Sequence, residues 1–225
     1  MALSNNMELW QIKSFLEDEV KEQIFLEVAP ILYIGQPAGG YFGVTRQILC
    51  FIDFLGALYC GYPEKEKKQD LKNYKRMRIS KSEKVEGFIT KFFGNEIDSK
   101  YEENGRIFYQ MYRHGLVHLY QPKTIRRKTG RVLSWALYKG QRESHSEGFD
   151  TQGGKFAIPN ARHLDIVVDP RNKNEDLLTI SITCLYKDLL TVIDRFYKNI
   201  EENKNDELKK WRETANAIME AEEES

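Results

Sequence analysis

Apolar residues recur every three or four positions through Leu9, Ile12, Phe15, Leu16, Val20, Ile24 and Val28, which predicts an amphipathic helix over 7–28. A glycine-rich stretch, GQPAGGYFG at 35–43, separates it from a second helix over 44–61. That second helix is apolar on nearly every face, as the centre of a bundle requires. The glycine stretch lacks the GK[ST] ending of a phosphate-binding loop and follows no strand pattern, so it reads as a connector. Val85, Phe88, Ile89, Phe92 and Phe93 predict a helix over 81–93, with Ser80 and Glu83 as a capping box. Tyr101, Phe108, Met111, Tyr112, Leu116 and Leu119 predict another over 98–119, ended by Pro122.

Beyond Pro122 the period changes. RVLSWALY at 131–138 alternates Leu133, Trp135 and Leu137 against Ser134 and Ala136, the pattern of a half-buried strand. The polar, glycine-containing stretch that follows, to about 154, predicts an exposed loop. HLDIVVD at 163–169 and LLTISIT at 177–183 alternate again across the turn composition PRNKNED, and predict a hairpin with the first strand beside it. The helical period returns from Leu185 through Leu189, Leu190, Ile193, Phe196 and Ile200, and a charged helix is predicted over 206–223. The expected fold class is α+β, mainly α. It is a helical bundle with a small antiparallel β-sheet inserted before the C-terminal helices, in one domain over 1–225: a helical part over 7–121, the β elaboration over 131–183 and C-terminal helices over 185–223.

Composition supports a folded chain, since 41% hydrophobic and 12% aromatic residues are too apolar for disorder. The 34 basic and 34 acidic residues cancel, which excludes a protein basic over its whole surface. They do not cancel locally. Residues 62–84 hold nine basic residues against Glu64, Glu66, Asp70 and Glu83; Lys123, Arg126, Arg127, Lys128 and Arg131 stand together at 123–131 with no acid; and residues 201–225 hold nine acids against four bases. Cys50, Cys60 and Cys184, an odd number without CxxC spacing, read as small core residues of a reducing compartment. The N-terminus carries no signal-peptide pattern, and the apolar run at 48–60 is short for a bilayer and contains Asp53. The expected location is cytoplasmic, with no membrane partner.

The chemistry concentrates in YQMYRHGLVHLYQPK at 109–123. Arg113 and His118 suit RNA cleavage without a metal. An imidazole near neutrality can take the 2′-hydroxyl proton or protonate the leaving oxygen. A guanidinium can hold two phosphate oxygens and neutralise the charge that builds up at phosphorus. Five residues along an ideal helix put the two about 140° apart, so Gly115 relaxing the helix or a second copy of the chain would have to bring them together. The bland alternative is an ordinary helix end, with Arg113 exposed and His118 capping the last turn. His114 and His118 lack the glutamate of a zinc-protease HExxH, and no metal or other cofactor is expected. Asp53 reads as a buried pairing partner or as a group that orients Arg113 or His118. No GxSxG, kinase or dinucleotide fingerprint occurs, and Ser144 with His145 has no positioned acid.

An aromatic helix running into RHGLVH and then Pro-Lys resembles the closing motif of the HEPN superfamily (higher eukaryotes and prokaryotes nucleotide-binding domains). In that motif an arginine, a polar residue, a few further positions and a histidine follow one another, matched here by Arg113, His114 and His118. The resemblance covers about residues 7–121; the strands at 131–183 are not in the minimal family pattern. It implies a metal-independent endoribonuclease that cleaves single-stranded RNA as a homodimer, in a toxin–antitoxin or phage-defence setting with an antitoxin or other protein partner. In it Arg113, His118 and His114 would be catalytic. The basic run Lys123, Arg126, Arg127, Lys128 and Arg131 would then hold the RNA backbone. The competing reading is a non-catalytic nucleotide-binding or protein-interaction scaffold.

Overall fold

The computed structural model describes residues 2–33, 41–61, 81–119, 122–143, 145–151 and 154–219; for 81–84, 113–119, 145–151 and 154–155 it describes the backbone only. The glycine-rich residues 35–40, the basic stretch 62–80 with Ser80 of the capping box, Tyr120, Ser144 and the acidic end 220–225 lie outside the described residues.

Three helical segments, Leu9–Ser14, a π-helical Phe15–Lys21 and Glu22–Leu32, follow one another without a break and together form α1. Its start is closed by a reciprocal capping box in which the Glu8 amide donates to Gln11 Oε1 at 2.8 Å. Helix α2 (Tyr41–Cys60) has 20 residues, three longer at its start than the periodicity predicts. By length and composition it is sufficient to cross a bilayer, yet Ile48, Ile52 and Leu55 are fully buried where it packs on the surrounding helices. Its Asp53 and its covered face make it a core helix here.

Helix α3 (Lys81–Phe88, continued by the π-helical Ile89–Gly94) and α4 (Lys100–Leu119) meet through a close backbone approach. A Cβ on Gly105 of α4 would lie 2.8 Å from Ile89 Cγ2 of α3. The widened turn of the π segment is closed by the Asp98 amide donating to Phe93 O at 3.0 Å. Phe88, Phe92 and Phe196 form an edge-to-face and tilted aromatic cluster, with ring centroids 4.9 Å apart for Phe88–Phe92 and 5.6 Å for Phe92–Phe196.

The strands are β1 (Ile125–Arg126), β2 (Val132–Tyr138), β3 (His145–Thr151), β4 (Gly154–Ala161), β5 (Asp165–Asp169) and β6 (Asn172–Ser181). The expected antiparallel sheet is corrected to a mixed one of order β1-β2-β6-β5. The predicted β5–β6 hairpin forms, with Ile166 opposite Leu178, and β2 lies beside it as expected. But β2 runs parallel to β6, with Trp135 opposite Leu178. The reason is the connection: the chain leaves β2, makes a separate β3–β4 hairpin, and returns through β5 before β6. That hairpin occupies most of the stretch at 139–154 read as a loop, so the loop expectation is also corrected.

Being central, β6 is covered on both faces, and Asp176 through Ser181 are all buried in place of the alternation expected of a half-exposed strand. It ends at Ser181, two residues short of the predicted strand. There Ser181 Oγ accepts the Cys184 amide at 3.2 Å and caps α5 (Ile182–Glu202). The last helix, α6 (Lys204–Met219), buries Trp211 edge-on against Phe15 at 5.8 Å. The three cysteines form no disulfide, and only Cys184 is buried; Cys50 is exposed, which corrects the expectation that all three are core residues. One continuous apolar core joins the helices to Leu133, Leu137, Leu178 and Ile180 of the sheet.

Candidate functional site

Helix α4 is anchored along its middle and ends at the motif. Phe108, Tyr109, Met111 and Tyr112 are buried, and the Tyr109 hydroxyl donates to Asp53 Oδ1 of α2 at 2.7 Å. Of the two readings of Asp53, the pairing one therefore has an observed partner. Tyr112 is fully buried, and burial raises its phenol well above the ordinary value. Arg113, His114 and His118 fall in the last two turns of α4, which runs unbroken past Gly115 to Leu119. Positions 113 and 118 therefore stay about 140° apart around one axis.

The chain then turns back along the helix. Pro122 is buried, and the Lys123 amide donates to the Met111 carbonyl at 2.9 Å. This contact ties the middle of α4, two residues before Arg113, to the segment entering the β1–β2 hairpin, which carries the basic run. The hairpin turn is held by the Arg127 amide donating to Arg131 O and the Gly130 amide to Arg127 O, both at 2.9 Å. Gly130 takes a φ of +82°, a conformation a side chain would disfavour.

The five basic residues separate into two groups. Lys123, Arg126 and Lys128 are exposed. Arg127 and Arg131 are engaged by Asp176 of β6, Arg127 Nη1 at 3.1 Å and Arg131 Nη2 at 2.6 Å. Arg131 also donates through Nε to both Asp176 oxygens at 3.0 Å, through Nη1 to the Lys173 carbonyl at 2.9 Å and through Nη2 to the Glu175 carbonyl at 3.0 Å. The hydrogen bonds from Arg131 are the main reason the Asp176 carboxyl stays below its usual range. The run has no acid in sequence; the fold supplies one from 45 residues further on.

A second polar constellation has no counterpart in the motif reading. It joins Asp98 and Tyr101 at the start of α4, Arg142 after β2, Arg162 and His163 between β4 and β5, and Asp188 of α5. His163 is fully buried, and its Nδ1 accepts the Ser181 amide at 3.1 Å. With Nδ1 an acceptor, the neutral ring carries its proton on Nε2, 2.9 Å from the Tyr101 hydroxyl. That hydroxyl donates to Asp188 Oδ2 at 2.6 Å. Arg142 closes the chain on Asp188 Oδ1 and reaches Asp98 Oδ2 at 2.8 Å.

Burial, reinforced by the Arg142 charge, pushes the His163 imidazole down to about 3. Burial likewise raises the Asp188 carboxyl, against the pull of Arg142 and Tyr101. Burial would raise Asp98 too, but the Lys100 amide and Arg142 together hold it below its ordinary value. His163, Tyr101, Asp98 and Asp188 of this network are buried, and it joins α4, the sheet connections and α5. One sequence signal pointed to it: Asp188 falls among Leu185, Leu189 and Val192 on the buried stripe of α5, where an acid needs a partner.

Among the described residues no three His, Cys, Asp or Glu side chains are grouped to hold a metal ion. No protein-family model, curated protein or solved structure matches the chain.

Proposed function

We propose that this protein is a metal-independent endoribonuclease of HEPN type that cuts single-stranded RNA, built on a HEPN-like helical bundle. One observation supports the reading above the others. The helix that ends in Arg113, His114 and His118 is tied through Met111 to a hairpin that exposes Lys123, Arg126 and Lys128. A polyanion is the ligand class that both the exposed cations of the hairpin and the motif on that helix would suit.

In the proposed reaction His118 takes the proton of a 2′-hydroxyl. The 2′-oxygen then bonds to the adjacent phosphorus as the bond to the 5′-oxygen breaks, and a proton returned to that oxygen completes the step. Arg113 holds the non-bridging oxygens as negative charge grows on them, and His114 assists. The separation of positions 113 and 118 around α4 favours a homodimer in which two copies of the helix complete the site. A cytoplasmic setting, with an antitoxin or other protein partner in a defence system, belongs to the same proposal.

The test is cleavage of a labelled single-stranded RNA in EDTA. Wild-type protein is expected to cut, and Arg113→Ala and His118→Ala are each expected to lose at least about a hundredfold in rate. Cleavage that requires a divalent metal, or that survives both substitutions, would falsify the proposal.

One observation favours the second reading, a non-catalytic nucleotide-binding or protein-interaction scaffold. Two of the five arginines and lysines of the basic run are already engaged by Asp176. Light scattering and RNA titrations across salt separate the two: a monomer without salt-dependent RNA affinity supports the scaffold.

A further inference from the structure

Asp176 is the one acid that reaches into the basic hairpin among the described residues, and it does so from a different strand. It lies at the start of the parallel β2–β6 ladder, opposite Leu133, so the strand that follows the hairpin turn is registered on the strand that carries the acid. Its side chain is 8% exposed, whereas Arg127 and Arg131 are each about one third exposed. The bonds from Arg131 are forked on the carboxylate and extended by two backbone carbonyls, a geometry that a lysine at the same place would lack.

An arginine whose donors are directed at fixed protein acceptors is not available to a mobile phosphate without first breaking those bonds. Arg127 sits at the first position of the turn and Arg131 at its last, so the two contacts with Asp176 hold both ends of the loop that presents Lys128. Lys123, Arg126 and Lys128 have no ion-pair partner among the described residues and face solvent.

We infer that Asp176 is a positioning residue. It withdraws Arg127 and Arg131 from phosphate binding, uses them to fix the β1–β2 hairpin, and leaves Lys123, Arg126 and Lys128 as the hairpin's contacts with a single-stranded RNA backbone. This rests on the ribonuclease reading for the identity of the polyanion, and on the Asp176 geometry alone for the division of roles.

Counterion release makes the division measurable. For a single strand each neutralised phosphate contributes about −0.7 to the slope of log Kobs against log salt concentration. With a labelled oligouridylate as probe, Lys123→Ala, Arg126→Ala and Lys128→Ala should each flatten the slope by about 0.7 and the triple variant by about 2. Asp176→Asn should loosen the hairpin. The Arg127 and Gly130 amides should exchange with deuterium about tenfold faster, while the salt slope steepens by as much as about 1.4 as the two arginines become available to phosphate. Arg131→Lys keeps the charge and loses the fork, so it should give the same exchange result if Asp176→Asn does not fold.

The inference is overturned if Asp176→Asn leaves the salt slope unchanged, because Arg127 and Arg131 would then not have been withheld from phosphate. It is also overturned if neither variant alters amide exchange in the turn. Wild-type protein without salt-dependent RNA affinity would instead sink the ribonuclease reading and the phosphate role of the three exposed residues, and the exchange measurement would still decide the clamp.

Discussion

The Tyr101 hydroxyl donates to Asp188 Oδ2 at 2.6 Å while its oxygen lies 2.9 Å from His163 Nε2. One side chain at the head of α4 thus satisfies two buried polar groups, one from the β4–β5 connection and one from α5. The aromatic ring packs separately, 4.9 Å from Phe93 between centroids.

Tyr101→Phe keeps the ring and removes only the shared oxygen. It leaves the His163 Nε2 proton and one Asp188 oxygen without their partner, and each unsatisfied buried group carries a penalty of about 1–3 kcal/mol. The expected outcome is a loss of about 2 kcal/mol or more in urea unfolding, with an unchanged m-value. A variant as stable as the parent would show that the hydroxyl does not hold the network together.

His163 predicts a specific acid sensitivity. Its folded value of about 3 lies below the ordinary value of 6.5, so the unfolded chain binds the proton first. Stability is therefore present above about pH 6.5 and falls as the pH drops from there toward about 3. At pH 5 this single group removes roughly 2 kcal/mol relative to pH 7. Asp98, Asp169 and Asp176, held below their ordinary value of 3.8, begin to lose their contributions only at the acid end of that window, as the pH falls through about 4 and below. The check is twofold: unfolding at pH 7 and pH 5, and the His163 ring proton shifts by NMR, which should not titrate over that range. A ring that titrates near 6.5 removes the basis of the prediction.

Gly105 opposes two effects. Alanine in a helix interior is favoured over glycine by about 1 kcal/mol. Here its Cβ would meet Ile89 Cγ2 at 2.8 Å, and Ile89 is 1% exposed with a β-branched side chain that has little room to move. Overpacking of this kind costs about 1–3 kcal/mol. Gly105→Ala is therefore expected to lower the melting temperature despite its better propensity, and Gly105→Ala combined with Ile89→Leu, which removes the Cγ2 branch at nearly constant volume, should recover part of the loss. A raised melting temperature in the single variant would mean that α3 and α4 can separate without cost.

The helices were legible because their signal is local. The apolar spacing of residues 9–28, 85–93, 101–112 and 185–200 identified faces that are buried, and Pro122 marked where the helical period ends. Strands β2, β5 and β6 were legible as strands, but their arrangement was not. Alternation at 131–138 shows that one face is covered, and nothing in it says whether the neighbour runs parallel or antiparallel. The β3–β4 hairpin was hidden in a polar, glycine-containing stretch whose composition is equally that of a loop.

The candidate site divides in the same way. Arg113, His114 and His118, and the five basic residues at 123–131, can be named from the sequence because they are near one another in it. Their availability cannot. Whether Arg127 and Arg131 face a phosphate or a carboxylate depends on Asp176, and whether His163 is a titrating group or a locked one depends on Tyr101, Ser181 and Asp188. The sequence by itself determined which segments bury an apolar face, where charge accumulates and which residues are chemically able to act. Only the tertiary structure decided strand direction, the partners of the buried ions and which cations remain exposed. The reason is physical: secondary structure follows from periodicity within a few turns of chain, whereas electrostatic pairing and desolvation are set by residues 40 or more positions apart that the chain connectivity alone does not bring together.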